Sequence, residues 1–237
     1  MFWVVKLLTT AGGEATADYF ASHNLMLGAV VEGVVLVVAA ASQFRARQYL
    51  APAYWSLAYA IAIFGTSVYD VMHRTVGIPY AMTSLFWIAV FASVFLLWHR
   101  SEHTLSIHMV VTRRRELFYW ATVFATFALG TALGDLTACT LHLGFLTSRI
   151  LFAAVFAISA LSWRLFGLNA VVDFWFAYVV TRPLGASFAD WVSKPRMLRC
   201  LGFGDAPTSS IVAGSILMLV TWLAMRGGGA GARRDAS

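Results

Sequence analysis

The chain has 237 residues, 60% hydrophobic and only 12% charged, with a mean hydropathy of +0.75. A soluble domain of this size does not carry that much apolar surface, so composition excludes an ordinary water-soluble fold. The net charge of +6 calls for no nucleic-acid partner, because a basic rim facing anionic membrane lipid accounts for it.

A bilayer core of roughly 30 Å takes about 20 helical residues, since lipid leaves free backbone N–H and C=O groups unsatisfied. Eight apolar stretches meet that length, near residues 2–20, 25–42, 54–72, 81–98, 117–138, 145–163, 170–191 and 208–225. The first has no basic leader and no cleavage site, and reads as an uncleaved signal anchor. Turn residues and charges fill the connections, as in Gln43 to Pro52, Gly77-Ile78-Pro79, Arg100 to Glu116 and Pro195 to Pro207. After Arg226 the sequence GGGAGARRDAS is too rich in glycine and polar residues to order itself. The expectation is one all-α integral membrane domain over residues 1–226 and a flexible tail over 227–237.

Positive residues are retained on the cytoplasmic side of a membrane. The even connections and the tail hold Arg45, Arg47, Arg100, Arg113, Arg114, Arg115, Arg164, Arg226, Arg233 and Arg234, against Arg74, Arg149, Lys194, Arg196 and Arg199 in the odd ones. Both termini are therefore expected in the cytoplasm of a multi-pass inner-membrane protein.

The strongest signal is internal repetition. FWVVKLLTTAGGEATAD, YWSLAYAIAIFGTSVYD, YWATVFATFALGTALGD and FWFAYVVTRPLGASFAD share one frame. An aromatic residue precedes Trp3, Trp55, Trp120 and Trp175. Gly13, Gly65, Gly130 and Gly185 follow ten positions later, and Asp18, Asp70, Asp135 and Asp190 five beyond that. Chance gives about 0.02 such coincidences among the Trp residues of the chain, against four found. Each copy holds a motif helix and a plainer one, over about residues 1–45, 52–100, 117–165 and 170–226.

In these segments the chain resembles a family of bacterial membrane proteins with a tandem fourfold repeat of unknown function, two transmembrane helices and one characteristic Trp per repeat. The resemblance spans nearly the whole chain. It extends to Glu102-His103-Thr104-Leu105-Ser106-Ile107-His108, to Arg114-Arg115-Glu116 before Phe118-Tyr119-Trp120, and to Thr181-Arg182-Pro183-Leu184-Gly185-Ala186. It implies architecture and no activity. The first copy departs from its sisters in the glycine pair Gly12-Gly13.

Fifteen helical residues separate each Trp from its Asp by about 22 Å, so Trp at one interface puts Asp near the other. Glycine between them lets backbones approach closely. Four copies entering in the same direction predict parallel repeats with pseudosymmetry about the membrane normal, and converging carboxylates if the motif helices face one axis. A competing reading has each Asp capping a loop or pairing with an outer Arg.

Positions 7, 11 and 15 after the Trp share one helix face, which bears Thr10, Glu14 and Asp18 in the first copy and Arg182 and Asp190 in the fourth. The residue after the motif glycine is Glu14, Thr66, Thr131 or Ala186, which differs between copies while Trp, Gly and Asp do not. Glu14 and Glu32 are both expected near the midplane, where carboxylates are protonated, paired with Lys6 or Arg182, or bound to a cation. A Glu14–Arg182 pair with a purely structural role and a proton or cation site weigh equally.

His23, His73 and His142 follow repeat Asp residues on the same side, whereas His99, His103 and His108 cluster on the other. Asp with neutral imidazole suits a metal such as Mn²⁺ or Zn²⁺, but no fixed ligand spacing recurs. Cys139 and Cys200 are expected on one side, where a disulfide could form. Nucleotide loops, HExxH, CxxC and CxxCH are absent from the sequence. A Schiff-base lysine in the seventh stretch and a Ser-His pair at matched depth are absent too.

These residues read as a non-enzymatic transporter or channel for a small cation, a divalent metal such as manganese or a proton. Its path is Glu14, Asp18, Glu32, Asp70, Asp135 and Asp190, with Lys6 and Arg182 as charge partners. The alternative is a non-transporting module that binds a lipid, quinone or protein partner between its helices, which the aromatic load also suits. Oligomeric state is left open.

Overall fold

The computed structural model describes residues 1–46, 49–106, 112–166 and 169–234, without the side chains of residues 160, 163–166 and 226–234. Arg47 and His108 lie outside the described residues, as do the side chains of Arg164, Arg226, Arg233 and Arg234. The elements are all helical: α1 (Phe2–Arg45), α2 (Ala51–Asp70), α3 (Tyr80–Glu102), α4 (Arg113–Asp135), α5 (Gly144–Phe166), α6 (Ala170–Ser193) and α7 (Asp205–Arg234). No strand occurs among the described residues.

The 44-residue α1 is two helices joined across a break at Asn24, where φ is −161° and ψ is 103°. The Asn24 side chain accepts a hydrogen bond from the Leu27 N–H at 3.0 Å, as an N-cap does for the limb that follows. Glycine at position 28 lets the chain turn back tightly, because a Cβ there would lie 2.9 Å from the Cβ of Phe20. Among the described residues there are thus eight α-helical limbs, and each apolar stretch of the sequence falls largely within one. Among the described residues, five helices are long and apolar enough to cross a membrane: α1, α2 with its following turn, α3, α4 with its following turn, and α7 as far as Met225. The described part of α5 is a shorter apolar helix, Gly144–Ser159.

Two breaks fall at equivalent places. Directly after Asp70 and Asp135, α2 and α4 widen into π-helical turns, Val71–Thr75 and Leu136–Thr140. Thr112 caps α4 by accepting from the Arg115 N–H, and Asn169 caps α6 by accepting from the Val171 N–H. Helix α7 continues to Arg234, past the Arg226 boundary expected from the glycine run.

The motif helices form the interior. The limb of α1 before Asn24 and helices α2, α4 and α6 are buried along much of their length, whereas the second limb of α1 and helices α3 and α7 expose large apolar side chains. Each plain helix packs on the motif helix of the next copy: the second limb of α1 on α2, α3 on α4, α5 on α6, and α7 back on α1.

Candidate functional site

Three layers of contacts recur along the motif helices, each joining one copy to the next. In the first, the aromatic residue before each Trp meets the Trp of the following copy. Phe2 lies 5.5 Å from Trp55, Tyr54 5.2 Å from Trp120, Tyr119 6.0 Å from Trp175, and Phe174 5.6 Å from Trp3, centroid to centroid. The Tyr54 and Tyr119 hydroxyls are hydrogen-bonded. Trp175 donates through Nε1 to the Leu105 carbonyl at 2.9 Å.

The second layer explains the motif glycines. A Cβ on Gly13 would run into Ala62, one on Gly65 would come within 3.1 Å of Phe127 Cβ, one on Gly130 would strike Arg182, and one on Gly185 would strike Thr10. Thr10, Ala62, Phe127 and Arg182 all occupy position 7 after their Trp. Each glycine therefore admits the position-7 residue of the next copy, and the fourth contact returns to the first copy.

The third layer is polar and centres on Arg182, which has no solvent exposure. Its Nε donates to the Phe127 carbonyl at 3.1 Å, Nη1 to the Thr10 carbonyl at 2.6 Å, and Nη2 to the Ala62 carbonyl at 3.4 Å. These carbonyls belong to the position-7 residues of the other three copies. Nη2 also meets Glu14 Oε2 at 2.8 Å, Thr131 Oγ1 at 2.9 Å and the Thr66 hydroxyl. Both threonine hydroxyls donate in turn to Glu14 Oε2 at 3.1 Å. Glu14, Thr66 and Thr131 share position 11, and in the fourth copy that position is Ala186. In the fourth copy the polar group stands one turn earlier instead, at Arg182.

Four positions beyond lie the repeat aspartates. Asp18 accepts from Lys194 Nζ at 2.5 Å and from Arg74 at 3.3 Å, and Arg74 also reaches Asp70 at 3.3 Å. Lys194 lies 3.7 Å from Asp190 and 4.0 Å from Asp205. Asp135 accepts from the Tyr69 hydroxyl at 2.9 Å. Glu14, Asp18 and Asp190 are all buried and each offers an oxygen within 4.8 Å of the others, a grouping able to hold a metal ion. Lys194 follows the end of α6; burial works against its ammonium, but Asp18 and Asp190 outweigh that and raise it above the usual lysine range.

Of the groups expected from sequence, Glu14, Arg182 and the four aspartates thus come together. Glu32 does not join them; it is buried at the edge of the bundle, hydrogen-bonded to the Ser67 hydroxyl. Lys6 makes no ion pair among the described residues. Its Nζ sits 3.9 Å from the Phe127 ring centroid and 3.7 Å from that of Tyr178, a cation held by aromatic faces. His23 is exposed and bonded to the Tyr19 carbonyl, His73 stacks on Tyr80 and bonds the Ile78 carbonyl, and His142 is exposed with φ at 55°. None of the three belongs to the carboxylate grouping. Cys139 and Cys200 are free thiols.

Four segments, residues 1–49, 53–104, 118–167 and 174–228, match the family described as Repeat of Unknown Function (DUF347). The chain belongs to that family. No curated protein and no solved structure matches it. The DUF347 segments coincide with the four copies defined by the Trp, Gly and Asp frame, so the contacts above join equivalent places in successive DUF347 repeats. Residues missed by sequence reasoning are Lys194, Ser67 and Tyr69. Lys194 carried a usable signal, because it and Arg74 stand four residues after Asp190 and Asp70, within reach on the same helical face.

Proposed function

We propose that the protein is a membrane carrier of a small cation, a divalent metal such as Mn²⁺ or protons, binding at the carboxylate cluster beside Arg182. The observation that carries this reading is the charge count of the buried cluster. Glu14, Asp18, Asp70, Asp135 and Asp190 face Arg74, Arg182 and Lys194, which leaves two formal negative charges in the cluster itself, with Lys6 held apart on the Phe127 and Tyr178 rings and Asp205 at the rim, 4.0 Å from Lys194. Uncompensated charge in a low-dielectric interior is costly, and one divalent ion or two protons would neutralise it. Glu14, Asp18 and Asp190 supply the oxygen ligands that such a hard cation prefers.

A carrier fits better than an open channel. The Arg182 guanidinium lies where the four motif helices meet, with its donors engaged by every other copy. Passage requires it to leave Glu14, so an arriving cation competes with Arg182 for that carboxylate. The same geometry favours eight spans in a bacterial inner membrane, with parallel copies related by pseudosymmetry about the membrane normal. Helix α6 crosses despite its polar residues because Arg182, Thr181, Ser187 and Asp190 face the interior. The basic residues near the Trp end favour a cytoplasmic location for that end and for both termini.

The alternative of a non-transporting module is favoured by one observation, the buried and half-paired Glu32 beside a cavity at the bundle edge. Proteoliposomes holding a divalent-sensitive dye on one arm and a pH-sensitive dye on the other separate the two. Flux of Mn²⁺ or protons supports the carrier, and protein-loaded vesicles as tight as empty ones to both ions would reject it.

A further inference from the structure

Lys194 is the C-cap residue of α6, and its base is fixed. The loop that follows folds back, so that the N–H groups of Leu201, Phe203 and Gly204 bond the carbonyls of Trp191, Val192 and Ser193. Its flexible stem carries the ammonium to the boundary between solvent and the buried carboxylates: the side chain is 23% exposed, against 6% for Asp18 and Asp190. Of the three residues grouped to hold a metal ion, Glu14, Asp18 and Asp190, Lys194 Nζ touches two, Asp18 at 2.5 Å and Asp190 at 3.7 Å. Arg74 also reaches Asp18, but its other partner, Asp70, lies outside that grouping. Asp205, as exposed as Lys194, stands 4.0 Å from Nζ, and its Oδ1 has no hydrogen-bond partner among the described residues.

We propose that Lys194 is a tethered competitor for the carried cation: its ammonium holds Asp18 and Asp190 in the ion-free carrier, and a divalent ion enters by displacing it towards Asp205. The proposal rests on the carrier reading and narrows it to a divalent ion. With Lys194 in place the cluster keeps two formal negative charges, and exchange of the ammonium for a divalent ion leaves one. A monovalent ion replaces one positive charge by another and gains nothing. Interactions between charges are strong in a buried site, so the competition selects for double charge. It also opens the way in, because oxygens covered by the lysine are uncovered as it leaves, and Asp205 receives the released ammonium. The site is available only for the fraction of time that Lys194 is away, which lowers the apparent affinity by that fraction.

The sequence makes the test specific. Lys6 and Lys194 are the two lysines of the chain, and Lys6 is fully buried, so a water-soluble acylating reagent reads Lys194 among the lysine side chains. The full chain in detergent is treated with sulfo-N-hydroxysuccinimide acetate, and mass spectrometry follows the Lys194 adduct. Saturating Mn²⁺ is expected to speed acylation on the order of tenfold, and Na⁺ at equal ionic strength to leave it nearly unchanged. Lys194→Met, titrated in parallel, is expected to bind Mn²⁺ on the order of tenfold more tightly than the wild type, and Na⁺ then competes. The acylation arm uses the wild type and decides the matter if Lys194→Met does not fold. Mn²⁺ that binds yet leaves Lys194 acylation unchanged or slower overturns the proposal. Equal acceleration by Na⁺, or weaker Mn²⁺ binding in folded Lys194→Met, overturns it as well. A wild type that binds no Mn²⁺ at all is a distinct result, which removes the divalent carrier reading and the proposal with it.

Discussion

The Trp end and the middle of the motif helices use one frame in opposite ways. At the Trp end all four copies contribute the same chemistry, an aromatic residue against the next copy's Trp, and the contact is made four times. Between the Trp and the repeated Asp the copies diverge: one arginine and one glutamate stand among threonines, alanines and a phenylalanine at equivalent positions. Repetition of an apolar contact marks packing, since identical apolar pairs stabilise each interface equally. Divergence marks chemistry, since a buried charge is tolerated only where a unique partner meets it.

The comparison breaks most sharply at Glu14. Loss of one member of a buried ion pair costs about 3–5 kcal/mol, so Glu14→Ala is expected to lower stability by that order, and Glu14→Gln by less. A measurable loss is expected even for Glu14→Gln, because Glu14 belongs to the polar network in which Arg182 contacts all three other copies. The double variant Glu14→Gln/Arg182→Met is expected to regain much of the stability while remaining inactive. Thermal unfolding in detergent reads the first effect and vesicle flux the second. Full stability in both single variants would remove the pair from the account.

Glycine substitutions sharpen the other side. Gly13→Ala, Gly130→Ala and Gly185→Ala drive a methyl into the next copy, and overpacking of this kind costs about 1–3 kcal/mol. Gly65→Ala is expected to be the mildest, because its nearest neighbour stands at 3.1 Å and can yield slightly. An inverted order, with Gly65 the most sensitive, would contradict the shared frame.

Smaller effects follow at Lys194 and Tyr119. Lys194 is raised above the usual lysine range, so its contribution is fully present below that range and is lost only as pH rises through the raised value. The stability difference between wild type and Lys194→Met should stay constant from about pH 6 to about pH 9; a decline within that window would mean Lys194 is not held by Asp18 and Asp190. Tyr119→Phe deletes the hydroxyl bonded to Tyr54 and should cost about 1 kcal/mol or less in the same unfolding assay. A larger loss would make the aromatic layer more than packing.

Much of this was legible from spacing. Trp, Gly and Asp at fixed offsets disclosed the four copies, and helical periodicity put Thr10, Glu14 and Asp18 on one face because side-chain direction is fixed by residue number. Periodicity could not tell which of Lys6 and Arg182 would meet Glu14. Both are on interior faces, and the choice depends on how far each lies along its helix: Arg182 is four positions beyond Lys6 in the frame, level with Thr10. Glu32 stands apart from the central cluster in which the sequence groups it, for a related reason. Depth was inferred from sequence, but rotation of the plain helix about its own axis was not, and that rotation aims Glu32 at Ser67 and the perimeter.

Equilibrium binding of Mn²⁺ to the purified protein, with released protons counted by a pH indicator, tests the central claim most directly. The account predicts saturable binding of one ion per chain, proton release that accompanies it, and loss of both in Asp18→Asn and Asp190→Asn. Absence of metal binding together with no proton uptake or release by the cluster across neutral pH would contradict it.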